Sequence, residues 1–292
     1  MYLSFWLGAV VMGLGFTGLV LSAFLTFRVL NFPDLTVDGS YPLGGAVTAL
    51  LIVQGMSPWL TLPVVFLAGG LAGAATGVMA TRLGINGLLA GILVAIGMYS
   101  VNLHVMGGVS NLPIFGNPTV MTAAGTLAAN TDLAAAMVFG ALTVVVILLA
   151  YWFLCTEVGL AMRAVGDNEQ MARAQGISTG AMKMVGLIIA NGLAALAGAL
   201  QVQYMGFADV NLGLGAILAG IAALIIGEAL MPVRGLLWAI VAVAVGSIVY
   251  RLVVAFALYL GLPPNDIKLG TVAIVLLALT LPRIRGIGKT AR

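Results

Sequence analysis

Charge is the scarcest commodity in this sequence: Asp, Glu, Lys and Arg together make up 7% of its 292 residues. A soluble domain carries about 25% charged residues, so twelve basic and nine acidic side chains cannot coat a water-facing surface. Cysteine occurs once, at Cys155, which excludes a disulfide framework, a thiolate metal cluster or a CxxC redox pair. A lone histidine, His104, excludes a multi-histidine metal site. The few basic residues form no Lys/Arg stripe, so nucleic acid is not an expected partner. The opening MYLSFW lacks the basic segment of a cleaved signal peptide, and the first apolar stretch is therefore expected to be retained.

What is abundant is apolar: hydrophobic residues account for 62% of the chain. Runs of that kind need no polar coat in a bilayer. The expected fold is all-α, a polytopic transmembrane bundle forming a single domain over 1–292. Pro, Asn, Asp and charges break the hydropathy and leave spans near Leu3–Phe27, Leu43–Gln54, Pro58–Ala80, Asn86–His104, Leu133–Cys155, Val185–Tyr204, Leu212–Leu230, Gly235–Ala257 and Lys268–Leu281. Nine is the centre of a range of about eight to ten, because the second is short and the last marginal against the ~20 residues a crossing needs. Lys and Arg are retained on the cytoplasmic side. With the C-terminus inside, that side collects Arg28, Arg82, Arg163, Arg173, Lys183, Arg234, Arg283, Arg285, Lys289 and Arg292, the last four in or beside a basic tail at 282–292. Only Arg251 and Lys268 fall outside.

Glycine is the second abundance. Gly69, Gly73 and Gly77 repeat along one face of the third span, and Ala194, Ala197 and Gly198 form a similar face in the sixth. Small residues let helix backbones approach where lipid removes the hydrophobic drive, so these are packing stripes.

The longest polar segment, Thr156–Lys183, holds six charges and falls on the inner side. It predicts a helix of about two turns over Asn168–Gln175. Asp167 can cap its start in capping-box spacing with Gln170. Glu169 and Arg173 stand at i,i+4, worth about 0.3–0.5 kcal/mol. Gly176 suits a left-handed C-cap, and Gly166 and Gly176 are the expected hinges. A helix so short is marginal alone, so the segment is either a solvated connector or a knob that docks on a cytoplasmic partner.

This loop resembles the coupling segment of permease subunits in bacterial ABC importers of the branched-chain amino acid and ribose type. Thr156, Gly159, Ala161, Arg163, Ala164, Gly166, Asn168, Ala172, Gly176 and Ile177 fit that pattern in register. The segment Asp34–Ser40 with Leu43–Ala46 looks like the family's D-L-S-V-G-S stretch and glycine-rich helix, with Asp38 inserted, and Gly227–Gly235 is similar to its G-G…G turn, with Glu228 in place of a glycine. GSIVYR at 246–251 and NDIKLGT at 265–271 resemble a branch linked to amino-acid uptake, aromatic solutes among them. The resemblance covers the whole chain. It implies a type II importer-like fold and import of a small solute by alternating access. It also implies a second permease copy, cytoplasmic ATPase subunits and an external substrate-binding protein. No G-x-x-x-x-G-K-[ST] occurs, so the chain is expected to be no enzyme and to hold no cofactor of its own, ATP and Mg being bound by the partner. The coupling residues implied are Glu157, Arg163, Asp167, Asn168, Glu169, Arg173 and Gly176.

Ionisable groups inside spans invite a functional reading. Arg251 lies about 16 residues, roughly 24 Å of helix rise, from the inner end of its span. There it could pair with Asp209, Asp132 or Asp266, or meet a substrate carboxylate. Glu228 belongs to the inner end of the preceding span, nearer Arg234. Asp34 and Asp38 sit beside Asn31 and Pro33 in a broken stretch that is either a gate beside the pathway or a plain loop. His104 ends a span and reads as interfacial. The alternatives are an ion-coupled secondary transporter and, for the solute, a sugar or nucleoside. An intramembrane protease or a channel has only Gly108-Val109-Ser110 or Asn117-Pro118-Thr119 to rest on.

Overall fold

A computed structural model describes residues 2–124, 131–231, 235–263, 266, 269–273 and 276. The described chain is a helical bundle: α1 (Tyr2–Ala23), α2 (Val37–Val53), α3 (Pro58–Thr81), α4 (Gly87–Val105), a short α5 (Val120–Ala124), α6 (Thr131–Cys155), α7 (Glu157–Asp167), α8 (Glu169–Ala174), α9 (Thr179–Met205), α10 (Ala216–Leu230) and α11 (Leu236–Tyr259). Six helices are long and apolar enough to cross a membrane; α2 and α10 are apolar but shorter. The expected first eight spans each find a helix. The ninth, Lys268–Leu281, falls mostly outside the described residues, as do Arg234 and the 282–292 tail, so about nine spans stays an expectation.

Local chemistry sets the ends. Pro58 opens α3 where its missing N–H costs nothing, and the Asn86 side chain caps α4 by accepting from Leu88 N–H at 3.0 Å. At the end of α1 the Thr26 hydroxyl donates back to the Ser22 carbonyl at 3.0 Å. From Phe24 to Val29 the turn widens into a π-helical segment, a geometry to which such back-bonding predisposes a helix. Asn31 then takes a positive φ of 49°, and the chain turns into the bundle ahead of α2.

α9 is the spine, packed on α1, α2 and α3, while α11 packs on α1 and α10. The close approaches are made by glycine. A Cβ on Gly73 would meet the Leu187 carbonyl, one on Gly69 the Asn191 carbonyl, and one on Gly77 the Met184 sulfur at 2.7 Å. The stripe therefore lies on α9. Gly44 and Gly198 repeat the device between α2 and α9, against the Ala195 and Tyr41 carbonyls. At the end of the bundle where α9 finishes, β1 (Asn111–Pro113) pairs antiparallel with β2 (Phe207–Asp209), Leu112 opposite Ala208. Val210 then begins a 3-10 turn to Gly213 that leads into α10. His104 closes α4 as an exposed residue, its Nδ1 2.8 Å from the Ser100 carbonyl.

Two boundaries differ from the sequence reading. α2 starts at Val37, six residues before Leu43, because Asp38 and Pro42, which read as breakers, are used inside it. Pro42 has no N–H for the Asp38 carbonyl, and Gly213 abuts that free carbonyl. In the polar loop the cap is one residue later than expected. Asp167 ends α7, and it is Asn168 whose side chain accepts from Met171 N–H at 2.9 Å. Asp167 and Gln170 thus form no capping box. Gly166 is no hinge either; it is the point where α7 presses on the Val29 carbonyl.

Candidate functional site

The polar loop is two helices set at a sharp joint. Thr156 starts α7, its hydroxyl accepting from Gly159 N–H at 3.3 Å. α7 is anchored through buried Gly159, Met162 and Val165, which leaves Glu157, Arg163 and Asp167 exposed. At Asn168 the backbone is extended, and α8 leaves in a new direction until Gly176 closes it at φ 82°. Three ties hold α8 in place. Ala172 is fully buried. Glu169 accepts from Lys183 of α9 at 2.7 Å. Arg173 donates to Glu169 at 3.3 Å and to Thr179 at 3.2 Å. Met171, on the outward face, is 55% exposed. The result is a short, braced projection with an apolar tip and charged flanks.

Deeper in the bundle, polar side chains gather where α2, α3 and α9 cross. Asp34 is fully buried. Its carboxylate accepts from Thr36 N–H at 2.9 Å and from Asn191 Nδ2 at 2.7 Å. The Asn191 amide oxygen in turn accepts from the Ser40 hydroxyl at 2.7 Å, and the Thr36 and Thr76 hydroxyls lie 2.6 Å apart. Asp38 faces the opposite way and caps α10, accepting from Ile217 N–H at 2.8 Å and Gly215 N–H at 3.3 Å. A carboxylate at a helix N-terminus satisfies free N–H groups and the positive end of the dipole together. Both acids thus bind specific partners, Asp34 from the irregular stretch before α2 and Asp38 from the first turn of α2.

The other two intramembrane charges separate, as their spans implied. Glu228 pairs with Arg28 through Nε at 2.9 Å and Nη2 at 2.5 Å, joining the π-helical segment after α1 to the end of α10. Arg234, the basic residue the sequence placed nearest, lies outside the described residues; the described partner comes from 200 residues upstream. Arg251 meets no carboxylate among the described residues. Its guanidinium carbon sits 4.5 Å over the Phe16 ring, and Asp209, one of its expected partners, instead takes the Asn211 N–H at 2.8 Å. Phe16 stacks on Tyr250 at 6.0 Å and meets Tyr41 edge-on at 6.2 Å. These four residues line a cavity of about 440 Å³. A second cavity of about 450 Å³ lies across Leu214, lined by Asp38, Tyr99 and Asn102.

The chain matches the family of branched-chain amino acid transport system permease components over residues 7–280. It belongs to that family. The tyrosine transport system permease protein of Clostridioides difficile is 37% identical to it over 269 residues, 89% of this chain and 85% of that one. The ribose import permease protein RbsC of Haemophilus influenzae is 24% identical over 219 residues, 71% and 64% of the two chains. The autoinducer 2 import system permease protein LsrC of Escherichia coli K12 is 28% identical over 218 residues, 72% and 59%. The chain is therefore a multi-pass membrane permease of the ABC importer family, and that family is a transport component rather than an enzyme.

In this permease, three residues of the geometry went unmarked in the sequence. Asn191 and Tyr41 were not singled out, and Met171 fell within the polar loop without being picked out. A polar amide in the middle of a 27-residue apolar helix is the signal that could have found Asn191. The brace on α8 carries a pH dependence. The Lys183 ammonium donating to Glu169 holds that carboxyl below the usual carboxylate range. A lowered value means the tie is complete above the ordinary range and is lost as pH falls through the lowered one. Glu169→Gln removes its charge at neutral pH. Hydrogen exchange of the α8 amides is expected to quicken on the order of two- to fivefold, the scale of an exposed ion pair, with α9 unchanged.

Proposed function

We propose that this permease forms half of the membrane channel of an ATP-driven importer, with α8 as the element that receives the ATPase stroke. The observation that carries the reading is the braced projection itself. A two-turn helix is marginal in isolation, yet here it is capped at both ends, tied to α9 through Glu169 and Lys183, and presents Met171 at its tip. The Lys/Arg distribution supports an inner-side location for it, with the C-terminus inside. In this reading two copies face each other, cytoplasmic ATPase subunits seat α8 in a groove, and an external binding protein delivers solute at the β1–β2 end. ATP closure moves α8, and the bundle alternates between inward- and outward-facing states, each ligand acting only through its differential affinity for the two.

The solute is an amino acid or close relative, aromatic in preference. The similarity to a tyrosine transport permease over 89% of this chain supports that choice over a sugar, for which the ribose relative is 24% identical. The test is uptake by the permease reconstituted with its ATPase and binding protein. Met171→Glu with Arg163→Glu is expected to lower ATP-driven uptake more than tenfold while the permease stays folded. Unchanged uptake, or uptake driven by an ion gradient with no ATPase present, would overturn the proposal.

A further inference from the structure

The cavity between α1, α2 and α11 combines features that ordinary packing does not require. Arg251 is held within a membrane-spanning helix, where a charge is expensive, and no described carboxylate compensates it. Its Nε is buried without a hydrogen-bond partner. Beside it Tyr41, 2% exposed, has a hydroxyl equally without a partner. Both side chains line the same cavity. Buried donors of this kind cost about 1–3 kcal/mol each when unpaired, more when charged, so a site that keeps two of them together is one that a ligand completes. The aromatic contacts fix the donors instead of quenching them. Phe16 holds the guanidinium by its face, and the Tyr250 hydroxyl lies 3.1 Å from that of Thr271.

The shape and polarity of the rest define the ligand. A volume of about 440 Å³ falls within the ~300–1,000 Å³ of small-molecule pockets. Beyond Arg251 and the two tyrosines the walls are mainly apolar, Met12, Leu218 and Val254 among them, and no acidic side chain lines the cavity among the described residues. Guanidinium and phenol offer hydrogen-bond donors, and Met12, Leu218 and Val254 supply apolar wall in the same cavity. We propose that this cavity is a solute subsite within the permease. It takes the carboxylate of a small solute on Arg251 and Tyr41 and lays the solute's apolar side chain along Met12, Leu218 and Val254. The proposal rests on the importer reading for its meaning as a station on the pathway, but the binding itself needs no ATPase.

The full-length permease in nanodiscs is titrated with three probes of one skeleton: L-phenylalanine, 3-phenylpropionate and phenethylamine. Binding is followed by the thermal unfolding midpoint and tyrosine/tryptophan fluorescence. The two carboxylates are expected to raise the midpoint and the amine to leave it unchanged. Arg251→Gln is expected to weaken the carboxylate response at least tenfold and Arg251→Lys by less. Tyr41→Phe, which removes only an unpartnered oxygen, is expected to weaken it about threefold, and it carries the test if Arg251→Gln does not fold. Equal responses to acid and amine, or variants that bind like the wild type, overturn the proposal. So does phospholipid that co-purifies with the wild type and is lost in Arg251→Gln, which would assign the site to a lipid phosphate. Association with the ATPase is measured on the same samples. Binding without association overturns the importer reading alone, and association without binding overturns the subsite alone.

Discussion

Valine in place of Gly73 is expected to remove folded permease from the membrane. Gly73 lies midway along α3, and the space where its side chain would begin is already filled by the Leu187 carbonyl and the Asn191 Cβ, the latter at 3.0 Å. A carbonyl in a transmembrane helix cannot turn aside without giving up its own hydrogen bond. The two helices must therefore separate, and the contacts of Gly69 and Gly77 with α9 go with them. Overpacking typically costs 1–3 kcal/mol and occasionally more; with the Leu187 backbone in the way the upper end applies, about 3 kcal/mol. Gly97 on α4 is the control, an exposed helical glycine with open space around it. Gly97→Val is expected to give wild-type protein levels and an unchanged unfolding midpoint in detergent.

The second large effect belongs to Asn191. Asn191→Leu fits an apolar helix by composition, yet it strips the Asp34 carboxylate of its donor at 2.7 Å and the Ser40 hydroxyl of its acceptor. Asp34 keeps the Thr36 N–H and Ser40 keeps the Thr36 carbonyl, so each loses one bond of two; at about 1–1.5 kcal/mol per lost buried bond, destabilisation of about 2–3 kcal/mol is expected. The exchange Asp34→Asn with Asn191→Asp keeps one carboxylate and one amide in the same place. It is expected to recover about half the loss shown by the two single variants, a coupling that a double-mutant cycle reads directly. Additive losses would mean that the pair is not a unit.

These two sites show what a linear reading could and could not reach. The spans were legible because hydropathy is a local property, and the Gly69–Gly77 stripe because helical spacing is. Glu169–Arg173 and the left-handed Gly176 were legible for the same reason. What failed involved partners far apart in the chain. Asp34 meets Asn191 across 157 residues and Arg28 meets Glu228 across 200, and no spacing rule joins them. Asp38 is the sharper case. In the sequence it sits in a broken stretch ahead of a short span; in the fold it completes the N-terminus of α10, a helix that begins 178 residues later. The misplaced cap had a different cause. Asp167 and Asn168 are both good caps, and the choice fell to Asn168 because α7 continues through Asp167 to press Gly166 on Val29.

The central claim is that α8 is the contact through which an ATPase drives the bundle, and a crosslink from its tip tests this most directly. Met171→Cys in a Cys155→Ser background places one thiol on the exposed face of α8. A short thiol-to-amine crosslinker is then applied to native membranes with and without ATP, and the product is sequenced. The expected result is a single adduct with a P-loop ATPase, its yield changing with nucleotide while Arg163→Cys on α7 gives a weaker one. Retained ATP-driven uptake with no ATPase adduct at Met171→Cys would contradict the account.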